Sequence, residues 1–161
     1  MTWLLIVLGV AVVISPLMWF RQSPRQKLIT ELRRSAGSAG LQVSLHRRPD
    51  AREEETRLEC VCYRIPWLDG DCRQNWVLHR FSTRGWDSVC PGWLWTLNQA
   101  APQWDDLLAD QMDDFPAGVS ALVATDAGMG VIWNEREDAA DLEKIVVKLK
   151  KFQHQAKEIC R

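Results

Sequence analysis

The chain has 161 residues, of which 47% are hydrophobic and 25% are charged, and its formal net charge is −1. These proportions are typical of a globular protein, and the lack of a basic excess argues against a nucleic-acid partner. Beyond the first 20 residues the chain is long enough for one domain with its own hydrophobic core.

The first segment to interpret is residues 3–20, a run of 18 residues without a charge. As a helix this run would be about 27 Å long, close to the roughly 30 Å hydrocarbon core of a bilayer. Trp3, Trp19 and Phe20 flank its ends, where aromatic side chains favour the headgroup region. We therefore predict a transmembrane anchor over 1–22, in preference to a cleaved signal peptide or a buried core helix.

The segment after this run is basic. Residues 21–34 contain one acid, Glu31, and the following five basic residues: Arg21, Arg25, Lys27, Arg33 and Arg34. Basic residues next to an anchor favour the cytoplasmic side of the membrane. We therefore predict a single-pass protein of the bacterial inner membrane with its N-terminus outside. The same five residues could also contact anionic lipid headgroups, but a topology signal is the simpler interpretation.

The next elements are predicted from periodicity. Residues 23–40 predict a juxtamembrane amphipathic helix, because apolar residues recur at helical spacing after a Ser-Pro start. Residues 41–45 alternate apolar and polar, as a strand does. Segments 58–67 and 75–82 also have the composition of strands, and the Asp-Gly pair at 69–70 predicts that they form a hairpin.

Five further segments complete the predicted domain. A strand is predicted at 93–97 and a helix at 103–115, which ends before a proline. Segments 119–125 and 131–133 are predicted to form a second hairpin, because a turn sequence separates them. The last helix is predicted at 138–159, with acidic residues near its start and basic residues later.

The last predicted helix has an apolar heptad stripe, consisting of Leu142, Ile145, Leu149, Phe152, Ala156 and Ile159. Such a stripe packs on a sheet or mediates self-association as a coiled coil, and packing is the commoner use. The mixture of helices and hairpins predicts an α+β fold. In this fold a single transmembrane helix precedes one mainly antiparallel sheet with helices packed on one face, and residues 41–161 form the cytoplasmic domain.

The sharpest chemical pattern involves four of the five cysteines. Cys60 and Cys62 would point to the same face of a strand, and Cys72 and Cys90 follow them in the chain. Thiolates are preferred zinc ligands, but the C-x-C spacing differs from that of zinc knuckles. We therefore favour buried cysteines that act as small hydrophobic residues, kept as thiols in the cytoplasm, and we predict no metal and no cofactor.

Catalytic motifs give no support for an enzyme. The chain has three histidines and contains neither G-x-S-x-G nor H-E-x-x-H. We expect a non-catalytic interaction or accessory subunit of a membrane complex, with the bilayer and a membrane protein as partners. The alternatives are a cysteine-based metal or thiol module and a membrane-tethered enzyme of unknown reaction.

The N-terminal third contains W-F-R at the end of the apolar run, then S-P-R-Q-K, then L-R-R-x-A-x-x-x-G-L-x-V. This pattern resembles uncharacterised single-pass inner-membrane proteins of gamma-proteobacteria. It is also similar to YajC, the accessory subunit of the Sec translocon, over 3–34. That similarity implies a Sec translocase-type accessory role. Beyond this segment the chain departs from that family, because it is longer and rich in tryptophan.

Overall fold

The computed structural model describes residues 2, 3, 6, 23–51, 59–68 and 72–160. The chain divides into two compact units, 1–31 and 32–161. Helix α1, Pro24–Ser38, begins in the first unit and ends in the second. In the first unit Ser23 caps this helix: its hydroxyl accepts from the Gln26 N–H at 3.2 Å, and the Gln26 side chain accepts from the Ser23 N–H at 3.1 Å. This reciprocal capping explains why the helix begins at the Ser-Pro pair.

The described part of the second unit forms a seven-stranded antiparallel sheet with the order β1-β2-β7-β6-β3-β5-β4. Its strands are β1 (Gln42–Arg47), β2 (Glu59–Ile65), β3 (Trp76–His79), β4 (Trp86–Asp87), β5 (Leu94–Trp95), β6 (Val119–Thr125) and β7 (Gly128–Trp133). A 3-10 turn at Pro102–Trp104 leads into helix α2 (Asp105–Gln111), and helix α3 is Ala139–Ile159. The four longest strands, β1, β2, β7 and β6, lie next to one another in the sheet.

The β6–β7 hairpin confirms the prediction for 119–133. All six residues of β7 are buried, and this strand lies between β2 and β6. Gly128 follows the turn with φ of +140° and would meet the backbone of Ile65 if it had a side chain. Only glycine fits this position, because it combines a positive φ with a close backbone approach.

The two faces of the sheet bury different side chains. The first face carries large residues such as Tyr63, Trp76 and Trp133, each at most 1% exposed. The second face carries a cluster of smaller residues, consisting of Cys62, Val77, Ala121, Val123 and Ile132, with Cys60 packed against it. The alternation of side chains along each strand produces this division.

Tryptophan rings connect the sheet to the helices. Trp76 contacts both Trp95 and Trp104 at ring-centroid distances of 5.5 Å, and Trp104 contacts Trp67 at 6.1 Å. Trp104 belongs to the predicted helix 103–115, whose apolar face is buried as expected. The observed helix is shorter, because α2 ends at Gln111.

The heptad stripe of α3 is part of the same core. Leu142, Ile145, Leu149, Phe152 and Ala156 are all buried. The Phe152 ring stacks on Phe115 at 6.4 Å. Asp138 caps the helix by accepting from the N–H groups of Ala140 and Asp141 at 2.9 and 3.3 Å. The stripe is therefore used within the domain, and a coiled coil through it would require the core to open.

A buried carboxylate ties α1 to the sheet. Glu135, which follows β7, is 4% exposed. Arg33 of α1 donates two hydrogen bonds of 2.8 Å to its carboxylate, and the Tyr63 hydroxyl donates one of 2.6 Å. Glu135 has φ of +55°, a left-handed conformation that costs free energy for a residue other than glycine. The three charge-assisted hydrogen bonds stabilise the residue in this conformation.

Cys72 and Cys160 form a disulfide that joins the segment before β3 to the end of α3, with a Cα–Cα distance of 5.1 Å. The expectation that all five cysteines stay thiols is therefore wrong. Residues separated by 88 positions in the chain meet here, which no spacing rule predicts. Disulfides persist mainly in oxidising compartments, so the bond also argues against the reducing environment assumed above.

The predicted transmembrane helix requires correction. Among the residues that the structure describes, none of the helices combines the length and the apolar content needed to cross a bilayer. Helices α1 and α3 have 15 and 21 residues, and charged side chains cover their solvent-facing sides. This finding contradicts three predictions, namely the transmembrane helix of the fold class, the single-pass topology and the inner-membrane localisation. Apart from residues 2, 3 and 6, the predicted anchor 1–22 lies outside the described residues.

The first predicted hairpin is also wrong. β2 pairs with β1 and β7, whereas β3 pairs with β6 and β5. Two strands therefore separate the segments that were expected to be neighbours. The strand predicted at 93–97 is reduced to the two residues of β5. A turn signal between two strands does not determine their pairing when longer strands compete for the same edge.

The ion pair of Glu135 gives a first prediction. Arg33→Ala removes the guanidinium that donates two hydrogen bonds to a buried carboxylate, so the free energy of unfolding should fall by about 1–3 kcal/mol. Urea denaturation measures this change. Arg34→Ala, at the neighbouring exposed position of α1, is the control and should change stability by less than about 0.5 kcal/mol. Equal effects of the two variants would show that the Glu135 network does not stabilise the fold.

The disulfide gives a second prediction. In denaturant without reductant, three thiols should react with a chromogenic thiol reagent, namely Cys60, Cys62 and Cys90. After reduction all five cysteines should react. Reduction should also lower the free energy of unfolding by about 2–5 kcal/mol, because the bond closes a long loop. The Cys72→Ser/Cys160→Ser double variant should show no response to reductant, and five reactive thiols before reduction would disprove the bond.

Candidate functional site

A cavity of about 390 Å³ opens where β2 begins and β7 ends. Its lining includes Arg48, Cys60, Phe81, Ser120, Asn134 and Arg136. The β6–β7 register shifts between Val119 and Ala121, so Ser120 lies at an irregularity of the ladder. Such bulges change the direction of side chains at the rim of a sheet.

Gly118 keeps the floor of this cavity open. A side chain here would approach the Asn134 Oδ1 atom to 2.6 Å and would also meet the Glu137 carboxylate. The backbone N–H of Asn134 donates to the Gly118 carbonyl at 3.2 Å, which holds the two segments together. A side chain at this position would therefore displace the side chains of Asn134 and Glu137.

The polar groups of the cavity come from the segment after β7. The Asn134 Oδ1 atom accepts from the Arg136 N–H at 2.8 Å, which orients the side-chain amide. The Ser120 hydroxyl donates to the Ile132 carbonyl at 3.4 Å. The charged residues of the lining are Arg48, which is paired with Asp50, together with Arg136 and Glu59. The cavity thus contains hydrogen-bonding groups and charges of both signs beside an apolar wall.

The apolar part of the rim is Phe81, whose side chain is 61% exposed. The Arg80 guanidinium lies 5.6 Å from the centre of the Phe81 ring. An exposed aromatic residue beside a concave surface is a common feature of protein-binding sites, because its burial on binding removes a large apolar area from water.

His79 is buried beside this rim and has polar contacts at both ring nitrogens. Its Nδ1 atom accepts from the Phe81 N–H at 3.1 Å, so its proton resides on Nε2 in the neutral form. Nε2 lies 3.5 Å from the Asp50 carboxylate, to which Arg48 donates at 3.0 Å. Burial lowers the pKa of His79, although Asp50 opposes this shift. The ring is therefore neutral at pH 7 and is held by its neighbours.

The thiols near the cavity are weak nucleophiles. Burial raises the pKa of Cys60 from 9.0 to about 11. The Cys60 thiol donates a hydrogen bond to the His46 carbonyl at 3.2 Å. Burial also raises the pKa of Cys62, although Arg64 opposes this shift. The thiolate is the reactive form of cysteine, so neither residue is activated at neutral pH.

The structure separates the four cysteines that the sequence associates. Cys60 and Cys62 share one face of β2, as expected from their spacing. Cys72 is bonded to Cys160, and Cys90 is buried between β4 and β5. Within the described ranges, no group of three or more His, Cys, Asp or Glu side chains could hold a metal ion. Burial raises the pKa of Cys90 to about 11.

The residues predicted to contact the membrane do not form one group in the structure. Trp3 is exposed, whereas Trp19, Phe20 and Arg21 lie outside the described residues. The remaining basic residues, namely Arg25, Lys27, Arg33 and Arg34, belong to α1. Of these, Arg33 forms the ion pair with Glu135, so its charge is used inside the second unit.

Apart from Cys60, which was considered as a metal ligand, sequence reasoning missed the residues that line the cavity. Phe81 follows a strand and Asn134 follows another, but strand ends of this kind are common and carry no distinguishing signal. Comparison with protein-family models, with characterised proteins and with solved structures finds no match to this chain. The cavity is therefore identified from its geometry, and the resemblance to YajC stays a prediction.

The raised pKa of Cys60 gives a third prediction. An increase from 9.0 to about 11 lowers the thiolate fraction at pH 8 about 100-fold. Alkylation of Cys60 by iodoacetamide at pH 8 should thus be at least about 100-fold slower in the native protein than in the denatured protein. Peptide mapping by mass spectrometry measures this rate. The rate should rise with pH up to about 11, and fast alkylation of the native protein at pH 8 would contradict the assignment.

Proposed function

We propose that the second unit is a non-catalytic interaction module that binds a segment of a partner protein at the cavity. The observation that carries this proposal is the exposed Phe81 ring on the rim of a concave, hydrogen-bonding surface. Binding sites for apolar side chains combine a concave surface with aromatic and hydrogen-bonding groups, and this cavity has both.

The cavity fits a segment with an apolar side chain next to a hydrogen-bond acceptor. The apolar side chain would pack on Phe81, and the acceptor would meet the side-chain amide of Asn134. A peptide segment supplies both features over a few residues.

The chemistry beside the cavity supports binding better than catalysis. A catalytic thiol requires a low pKa and a base, whereas Cys60 has a raised pKa and a neighbouring carbonyl. A catalytic histidine requires a ring nitrogen that can reach the substrate, whereas both nitrogens of His79 face protein groups. The alternative of a metal or thiol module has less support, because Cys72 is bonded away from the other candidates.

The proposal gives a fourth prediction. Phe81→Ser should reduce partner affinity at least about 30-fold, since truncation of a central aromatic residue costs about 2 kcal/mol or more. The tagged full chain is purified from extracts of the cells that produce it, and co-purifying proteins are quantified by mass spectrometry. Val147→Ser is a matched control, because Val147 is 60% exposed and lies on α3.

The co-purification results for the wild-type chain and the two variants decide between binding at the cavity and binding elsewhere. A near-stoichiometric protein that is bound by the wild-type chain and by Val147→Ser, but lost from Phe81→Ser, supports the proposal. A partner that Phe81→Ser retains, or one that only Val147→Ser loses, places the interaction elsewhere and overturns it. Purification of the wild-type chain alone also counts against it. Circular dichroism of each variant checks that the fold is unchanged.

A further inference from the structure

The outer edge of β1 is a second surface that the proposed function does not use. β1 is the terminal strand of the sheet, and within the described residues it pairs only with β2. Its six residues pair in continuous register without a bulge, and none is proline or glycine. Edge strands usually prevent further pairing by means of prolines, bulges or charged side chains. β1 has no proline and no bulge, and its arginine, Arg47, is the last residue of the strand.

An apolar side chain accompanies this open edge. Leu45 is 66% exposed. Val43 pairs with Tyr63, and Leu45 pairs with Val61. Val43 and Leu45 are two residues apart on a strand, so they lie on the same face of the sheet. An additional strand on this edge would form main-chain hydrogen bonds and would also cover Leu45.

We propose that β1 pairs antiparallel with β1 of a second copy of this chain, so that the two sheets become continuous. The sequence of β1 is complementary to itself when the two-fold axis passes through Ser44. In this register Val43 lies opposite Leu45 of the second copy, and Gln42 lies opposite His46 of the second copy. Opposed residues then lie on matching faces, as an antiparallel pair requires.

The charges of β1 fit this register. Arg47 is the charged residue of the strand at neutral pH, and it lies beyond the last opposed pair, so no like charges face each other. A register centred on Leu45 instead places Arg47 opposite Val43 of the second copy. The register centred on Ser44 therefore pairs the apolar residues twice and leaves the cations at the outside. A two-fold contact of this kind is closed and does not extend into a fibre.

The oligomeric state tests this inference. Sedimentation velocity of the full chain over a range of concentrations should show a reversible dimer. Leu45→Lys should raise the dimer dissociation constant about tenfold or more, because it replaces two Val–Leu pairs with charged residues at the edge. Val147→Lys makes the same change of charge at a similarly exposed position on α3, and it should leave the dissociation constant unchanged.

A second measurement tests the register itself in a Cys62→Ala background, because Cys62 is opposite Ser44 on β2 and would otherwise form an intrachain bond. In this background Ser44→Cys places a thiol next to its own symmetry mate, since opposed Cβ atoms in an antiparallel pair are about 4.5–5.5 Å apart. Mild oxidation should convert most of this variant into a covalent dimer, whereas Val147→Cys in the same background should stay monomeric in a non-reducing gel. A monomeric wild-type chain, a dimer unaffected by Leu45→Lys, or a different protein found on β1 would each overturn the inference.

Discussion

The carboxylate of Glu135 is the constraint on which this end of the molecule depends. A buried carboxylate costs several kcal/mol unless cations and hydrogen bonds compensate for the lost water. Arg33 and Tyr63 provide this compensation, and they come from α1 and β2. The position of α1 in the second unit is therefore coupled to the end of β7. The same interaction stabilises the left-handed backbone of Glu135.

The cavity is a consequence of this arrangement. Asn134 and Arg136, the two neighbours of Glu135, line the cavity, whereas the side chain of Glu135 is buried against Tyr63. The left-handed conformation of Glu135 changes the direction of the chain between these two cavity-lining residues. One interaction thus stabilises the core and also positions the polar groups of the proposed binding site.

The cysteines show how one residue type can have separate roles in one domain. Cys62 fills the small-residue cluster on the second face of the sheet, where Gly130 allows its sulfur to approach; a side chain at Gly130 would lie 2.8 Å from it. Cys72 and Cys160 instead form a covalent connection to the end of α3. The cavity and the β1 edge use neither feature, so the two proposed binding surfaces depend on shape and main-chain hydrogen bonds more than on thiol chemistry.

Local patterns in the sequence determined the β6–β7 hairpin, the buried stripe of α3 and the apolar face near Trp104, because strand alternation and helical periodicity act over a few residues. The hydropathy of 3–20 led to the wrong prediction of a transmembrane helix, because no helix among the described residues could cross a bilayer. Composition alone does not establish a bilayer-spanning helix. Only the tertiary structure decided the neighbours of β2, the Cys72–Cys160 bond and the pairing of Arg33 with Glu135. The last two of these contacts join residues that are 88 and 102 positions apart in the chain. Such contacts depend on how complete elements pack together, and no local window of sequence contains that information.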